Sequence, residues 1–546
     1  MDIEDLFNET LALEESKDEP LVIPEFGPCS GEGGEQSSSQ ASGGAGACCS
    51  TKSLSCSTLC DCETKAKPVL IPQKSTEIAK KSMCFKCKVK PPSFTNKQDK
   101  VCKECFLDIL IHKFKSSLRQ NLKIWKDDLN LICISGGSNS MALLNLLYIS
   151  LFANQSTRKM FFRVHILYID ECAAVYGVDE DVRKRNIDFI VETCQRYNFT
   201  YTIVPLESVF DIDIEKLPGL DMRVADEAAA QLIGEERKRD EIEHSTPVGM
   251  EEVANRVIEV TDVQGKREAI RGIMETLPTA SNFREDLILY FKRWIIVDFA
   301  LKYNFKKILF GTTGHKVATN LLAQLAKGRG ASIAHEISYI DDKNFNGRIT
   351  FMNPMREFLH KEIALYNFLN KVDIIHQKPL AQLLNPHTTS PSFASADLLI
   401  ESFFDKLQDK FNVNTVPTVV KLTNKLQKSI NMPTTPYPFC PLCMGVRDQV
   451  NNLLEMGSTI KRIQLNEDGS FAGVQAIERP EEWLEGAETV GRALCFGCKR
   501  MVISSYTVEK RQRFLGLLPK IVMQNCERLN AAEATASLGG VGASSV

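Results

Sequence analysis

Four short apolar runs set the terms on which this chain can fold. LNLICI (Leu129–Ile134), FFRVHILYI (Phe161–Ile169), FTYTIVPL (Phe199–Leu206) and KKILFG (Lys306–Gly311) read as buried strands. Between the first three lie MALLNLLYIS (Met141–Ser150) and DVRKRNIDFIVETCQRYN (Asp181–Asn198), which read as helices. The long amphipathic helix REDLILYFKRWIIVDFALKYN (Arg284–Asn304) feeds the fourth strand. Strands alternating with helices predict an α/β unit built on a parallel sheet with helices on its faces.

The chain has 546 residues, room for two to four folded units at roughly 100–200 residues each. With 43% hydrophobic and 25% charged residues it has the balance of an ordinary soluble protein, and the net charge of −3 names no partner. Local counts say more. Residues 1–63 carry thirteen acids against Lys17 and Lys52 and include Ser/Gly-rich runs, so 1–80 is expected to be a disordered acidic tail. Cys48, Cys49, Cys56, Cys60 and Cys62 crowd its end in a spacing that fits no zinc pattern. From Cys84 to Lys126 the sign reverses, with ten lysines and Arg119 against Asp99, Glu104 and Asp108, a basic surface suited to nucleic acid. The expected boundaries are a basic ribbon and linker helix at 81–126, an α/β domain at 127–375 with a charged insertion at 219–282, and a helical segment at 376–435. A small cysteine module at 436–502, a terminal helix at 503–530 and a disordered tail at 531–546 complete the chain. The acidic N-terminus lacks the basic-then-apolar order of a secretory signal, and no apolar run approaches 18 residues, so an intracellular protein with no membrane contact is expected.

Eighteen cysteines in a reducing compartment are first tested as metal ligands. Cys84, Cys87, Cys102 and Cys105 form two CxxC knuckles fourteen residues apart, the pattern of a four-thiolate zinc ribbon. Cys440, Cys443, Cys495 and Cys498 repeat the knuckles across fifty-one residues and read as a second closed, structural zinc site. A different chemistry is suggested by SGGSNS, Ser135 to Ser140, between the first strand and its helix. Its glycines let successive amides converge, and the helix N-terminus adds positive partial charge, making Ser135, Gly136, Gly137 and Ser140 candidates for holding a nucleotide phosphate. The GK[ST] ending of a Walker A loop is absent.

In order along the chain, the CxxC…CxxC ribbon, the SGG-x-x-S loop, GTTGHKVATNLLAQLAKGRG (Gly311–Gly330), MREFLHKEIALY (Met355–Tyr366), CPLC and CFGCKR resemble the cytoplasmic tRNA 2-thiolation protein 2 family. The resemblance implies a PP-loop fold of the adenine nucleotide alpha hydrolase kind, flanked by zinc modules near both ends. It implies a heterodimer with a related catalytic PP-loop subunit, with ATP as a candidate ligand. The pair would act on the wobble uridine of tRNAs for lysine, glutamate and glutamine, with sulfur from a ubiquitin-like carrier.

Departures from the active pattern give this chain no catalytic residue of its own. Active loops in the superfamily read SGGxDS, whereas Asn139 stands at the aspartate position and removes an oxygen anion that could hold magnesium. Between Ile134 and Tyr437 the only cysteines are Cys172, expected near the ligand crevice, and Cys194, expected in a helix core. His315 is read as a satisfied loop histidine. Two rival readings are an ATP pyrophosphatase active on its own and a zinc-dependent protein adaptor of the RING kind, although RING sites interleave their ligands and commonly include histidine.

Overall fold

The computed structural model describes residues 83–96, 99–126, 128–152, 160–175, 177, 180–213, 249–278, 282–330, 333, 336–341, 349–376, 382, 395–411, 415–429, 439–445, 461–465, 471–476, 488–503 and 507–539. The expected N-terminal tail with its five cysteines, the first part of the insertion and residues 540–546 lie outside them.

A small hairpin, β1 (Phe94–Asn96) and β2 (Asp99–Val101), leads into helix α1 (Lys103–Ser116). The α/β unit follows as β3 (Leu129–Ile134), α2 (Ser138–Phe152), β4 (Arg163–Asp170), the short α3 (Cys172–Val175), α4 (Glu180–Arg196) and β5 (Thr200–Pro205). After the insertion come α5 (Met250–Val253), β6 (Arg256–Val257), α6 (Val263–Thr276), α7 (Phe283–Lys302), β7 (Lys307–Phe310) and α8 (Gly314–Ala326). Strands β8 (Ile340–Asp341) and β9 (Thr350–Met352) precede α9 (His360–Asn370), and the helical segment holds α10 (Ala396–Phe411) and α11 (Thr415–Ser429). The last part contains the hairpin β10 (Lys461–Leu465) and β11 (Phe471–Ala476), then α12 (Glu488–Ala493), α13 (Phe496–Ile503), α14 (Val508–Leu517) and α15 (Lys520–Gly539).

Seven strands form one sheet in the order β6-β5-β4-β3-β7-β9-β8, parallel throughout except for β8 against β9. The period of two in a strand divides each one between two cores. Leu131, Leu167, Val204, Ile308 and Phe351 enter the core built by α6, α7 and the C-terminal helices. Their neighbours Ile132, Ile166, Ile203, Leu309 and Met352 enter the core built by α1, α2, α4 and α9. The expected parallel α/β sheet with helices on both faces is thus what the chain adopts. Helix α2 is buried nearly all round, and its buried amide is satisfied: Asn145 donates to the Tyr197 hydroxyl at 3.0 Å and accepts from Tyr366 at 2.7 Å. A third small core joins α8 to α10 and α11 through Val317, Leu321, Phe404, Val416 and Val420. Buried Arg356 fastens that hairpin, donating from Nε to the Ile337 carbonyl at 2.6 Å and reaching the Thr423 hydroxyl.

Three expectations change. The later part of the 219–282 insertion belongs to the fold, because β6 pairs with the β5 edge and α6 buries Ile270, Ile273 and Met274 on one amphipathic face. The single terminal helix is two, since Pro519 supplies no amide to a continuous helix and stands between α14 and α15. The last helix also runs to Gly539, through residues assigned on composition to a tail. Ala531, Ala532, Ala534 and Ala536 are strong helix formers. No described helix is long and apolar enough to cross a membrane.

His165 on β4 is buried, with its ring nitrogens bonded to the Thr200 and Thr202 hydroxyls at 2.8 and 2.9 Å and its ring stacked near Phe299 and Phe305. Burial pulls its pKa down to about 4, below the roughly 6.5 of an unfolded chain. The neutral ring's contribution is therefore complete above pH ~6.5 and is lost as the pH falls toward 4. Urea unfolding should show a loss on the order of 2–4 kcal/mol across that window, and His165→Gln should flatten it.

Candidate functional site

The order of the sheet creates a switch point. From β3 the chain moves to β4 on one side, and β7 later pairs with β3 on the other, so the loops after β3 and β7 leave the sheet in opposite directions and open a crevice. Both loops are held close together. A Cβ on Gly311, just after β7, would lie 3.0 Å from the Asn139 carbonyl oxygen, so a side chain there would push the two loops apart by a few tenths of an ångström.

Gly136 has φ +77°, a left-handed conformation that lets SGGSNS turn from β3 into α2. Ser140 Oγ accepts from the Ser135 amide at 3.3 Å and donates to the Gly137 carbonyl at 2.9 Å, closing the loop on itself. Asn367 donates to the Ser138 carbonyl and hydroxyl, each at 3.0 Å. Ile375 donates its amide to the Gly136 carbonyl at 2.9 Å, and its side chain would stand 2.5 Å from a Cβ placed there. Of the four candidate phosphate-holding residues, Ser135 and Ser140 line the crevice, while Gly136 is buried under Ile375.

The crevice is a cavity of about 480 Å³, within the range of small-ligand sites. Asn139 lines it, with an Oδ1 that is buried and without a partner. Its cations are Lys292, Arg293 and Lys316, and its acids are Glu336 and Asp341. Lys292 pairs with Glu171, and Arg293 pairs with Glu336 at 3.2 Å while lying over the Phe351 ring. These side chains carry no motif; their one trace in the sequence is a Lys-Arg pair inside the apolar run of α7. Cys133 on β3 also lines the cavity, and burial pushes its thiol far above the ordinary range. It is the one lining cysteine among the described residues, and it escaped notice because it sits inside an apolar strand. Cys172 opens α3 after β4, and its side chain lies outside the described set. Cys194 is buried in α4 with its thiol pushed up to about 12 by burial, which suits an inert core residue. His315 does not line the cavity and is not the satisfied loop histidine expected: it lies in the first turn of α8, packs against His360 and Phe404, and its Nδ1 is buried without a partner. Burial lowers its pKa.

Both cysteine sets converge, each with its four Sγ atoms within 4.8 Å of one another. In the first, Cys87 and Cys102 Sγ are 3.9 Å apart; in the second, Cys443 and Cys495 Sγ are 3.7 Å apart. A tetrahedral ion with metal–sulfur bonds of about 2.3 Å requires an edge of about 3.8 Å, so the donor sets fit one closed ion each. Backbone amides favour the thiolate at Cys84, whereas burial pushes the Cys105 thiol up to about 12. Cys84 accepts from the Cys102 amide at 3.3 Å, and backbone amides led by that of Cys87 pull its thiol down to about 6. Cys443 accepts from the Gly445 amide at 3.4 Å. The first set joins the core on one face of the sheet and the second joins the core on the other.

Because Gly136 combines a positive φ with contact against Ile375, Gly136→Val should destabilise the protein by about 2–4 kcal/mol in urea unfolding. Wild-type stability in that variant would mean that Ile375 does not close the loop.

A family model described as cytoplasmic tRNA 2-thiolation protein 2 matches residues 395–500. Among similar proteins of that name, the one from Danio rerio is 27% identical over 377 residues, covering 67% of this chain and 72% of the relative. The Bos taurus protein is 27% identical over 383 residues with the same coverage. The 2-B form of Xenopus laevis is 24% identical over 492 residues, covering 82% of this chain and 91% of its own. Among solved structures, the U34-tRNA thiolase NcsA from Methanococcus maripaludis with its [4Fe-4S] cluster is similar with a TM-score of 0.41 and 14% identity, over 64% of this chain and 90% of that one. The family-model match and the relatives, on the motifs laid out above, make the chain similar to the cytoplasmic tRNA 2-thiolation protein 2 family.

Proposed function

We propose that this chain is the companion subunit of a cytoplasmic enzyme that 2-thiolates the wobble uridine of tRNAs for lysine, glutamate and glutamine. The related proteins are named for tRNA 2-thiolation. In this reading a related PP-loop subunit performs the chemistry and receives sulfur from a ubiquitin-like carrier.

The observation that carries the division of labour is Asn139. A carboxylate there would be an acceptor for magnesium beside a phosphate. The amide offers a neutral oxygen, and in a residue that lines the cavity that oxygen is buried and unpartnered. Sulfur transfer between thiols needs a second cysteine within reach, and Cys133 is the one cysteine lining the cavity among the described residues. What remains is binding capacity: the Ser135 and Ser140 corner, Lys316 and the paired Lys292 and Arg293 suit an anionic ligand such as ATP held without turnover.

Zinc is the proposed occupant of both four-cysteine sets, as a closed structural ion in each. The ribbon would present tRNA with the exposed Lys88, Lys100 and Lys103, while Lys90 and Lys86 lean on Glu104 and Asp108 at 2.7 and 3.7 Å. Phosphate contacts of this kind give affinity that falls with salt.

The decisive experiment purifies the chain alone and with its partner and measures thiouridine in tRNA. The pair should thiolate and the single chain should not, and Asn139→Asp should leave the single chain inactive. Thiolation by the chain alone would overturn the reading, as would collapse of thiolation in Ser135→Ala while assembly and tRNA binding persist. Cys87→Ser should lose one of two zinc equivalents by elemental analysis and weaken tRNA binding about tenfold; unchanged zinc content would reject the ribbon assignment.

A further inference from the structure

The turn that ends α8, Lys327–Gly330, is interlocked with the CFGC knuckle of the second cysteine set. Gly328 has φ +79°, and a Cβ there would lie 2.7 Å from the Phe496 ring. In return, a Cβ on Gly497, between Cys495 and Cys498, would lie 2.5 Å from Arg329 Nε and 2.7 Å from its Cγ. Two glycines thus let the Arg329 side chain lie directly on the backbone that carries two of the four thiols.

Arg329 is poorly balanced where it sits. Its side chain is 6% exposed, and its ion pair with Asp286 is long, at 3.5 Å. The other oxygen of Asp286 is held by Lys327 at 2.9 Å, and Lys327 also reaches Asp397. One Nη lies 3.3 Å from Gln324 Oε1, and the guanidinium rests over the Tyr290 ring at 4.9 Å. The Nε, the atom nearest Gly497, is buried and has no acceptor. A buried donor left in this state costs free energy. A divalent ion with four thiolates has a formal excess of two negative charges, which is the missing complement.

We infer that Arg329 is an outer-shell partner of the second four-cysteine centre, donating its Nε–H to a thiolate of the CFGC knuckle and supplying counter-charge to the loaded metal. Outer-shell donors of this kind set metal affinity through the electron density left on the ligand. The same bond pins the C-terminal end of α8, the helix from which Lys316 and Asn320 face the cavity. This role concerns metal retention and does not depend on the tRNA reading.

The test uses the full chain loaded with zinc, with Cys87→Ser as background so that only the second centre reports. A competing chelator is titrated against the background protein and against its Arg329→Gln and Arg329→Lys derivatives. Arg329→Gln should lose metal affinity about 10–100-fold, and Arg329→Lys, which keeps charge without the fixed Nε–H, should fall between. In cobalt-loaded samples the thiolate-to-metal absorption should move to longer wavelength in Arg329→Gln, since an undonated thiolate gives up charge more easily. Wild-type retention and an unmoved band would overturn the inference. Should Arg329→Gln fail to fold, Arg329→Lys decides alone, with wild-type affinity sinking the inference and weakened affinity upholding it.

Discussion

Strand β3 has two parallel neighbours, and the rest of the molecule depends on that double pairing. Asn130 is in register with Val164 on one side and with Lys307 on the other. Because the neighbours flank β3 on opposite sides, the loops that follow β3 and β7 must separate, and a crevice appears without any side chain to carve it. The SGGSNS turn sits at its rim because it follows β3, and Gly311 sits beside it because it follows β7. The candidate site is therefore a product of topology first and of side-chain chemistry second.

Each face of the sheet carries one four-cysteine set as part of its core, a placement that gives the metal modules a packing role as well as a local one. The ribbon closes over α1 and α2, while the second set is buried with Trp294, Phe514 and Val522 beneath α7 and the terminal helices. Thiols are good apolar fillers, but four converging thiols repel once ionised, so these positions favour folding only when something cationic resolves the repulsion. A metal ion would do so at the centre, and Arg329 is placed to do so at the edge.

Much of this was legible from residue pattern alone. LNLICI, FFRVHILYI, FTYTIVPL and KKILFG became central strands because buried parallel strands need little besides apolar, β-compatible side chains. The cysteine knuckles were readable because metal geometry imposes a fixed local spacing. Strands β6, β8 and β9 were not, since two or three residues hold no period. The cavity's Arg293 and Lys292 could not be assigned from an amphipathic pattern in which both faces are buried. Cys133 was hidden by its apolar neighbours, and the cover that Ile375 places on Gly136 joins positions too remote for any local rule. Residues 531–539 are the converse case, a low-complexity stretch that is helical because alanine favours the helix.

The pairing of Asn130 with Lys307 joins positions about 180 residues apart. A ribosome adding roughly 5–20 residues each second needs roughly 10–35 s to bridge that gap. During this time β3 and β4 can associate, but one long edge of β3 stays open, with the hydrogen-bonding groups of Asn130 to Cys133 unclaimed. For that whole interval the open edge of β3 is a template for pairing with the wrong strand.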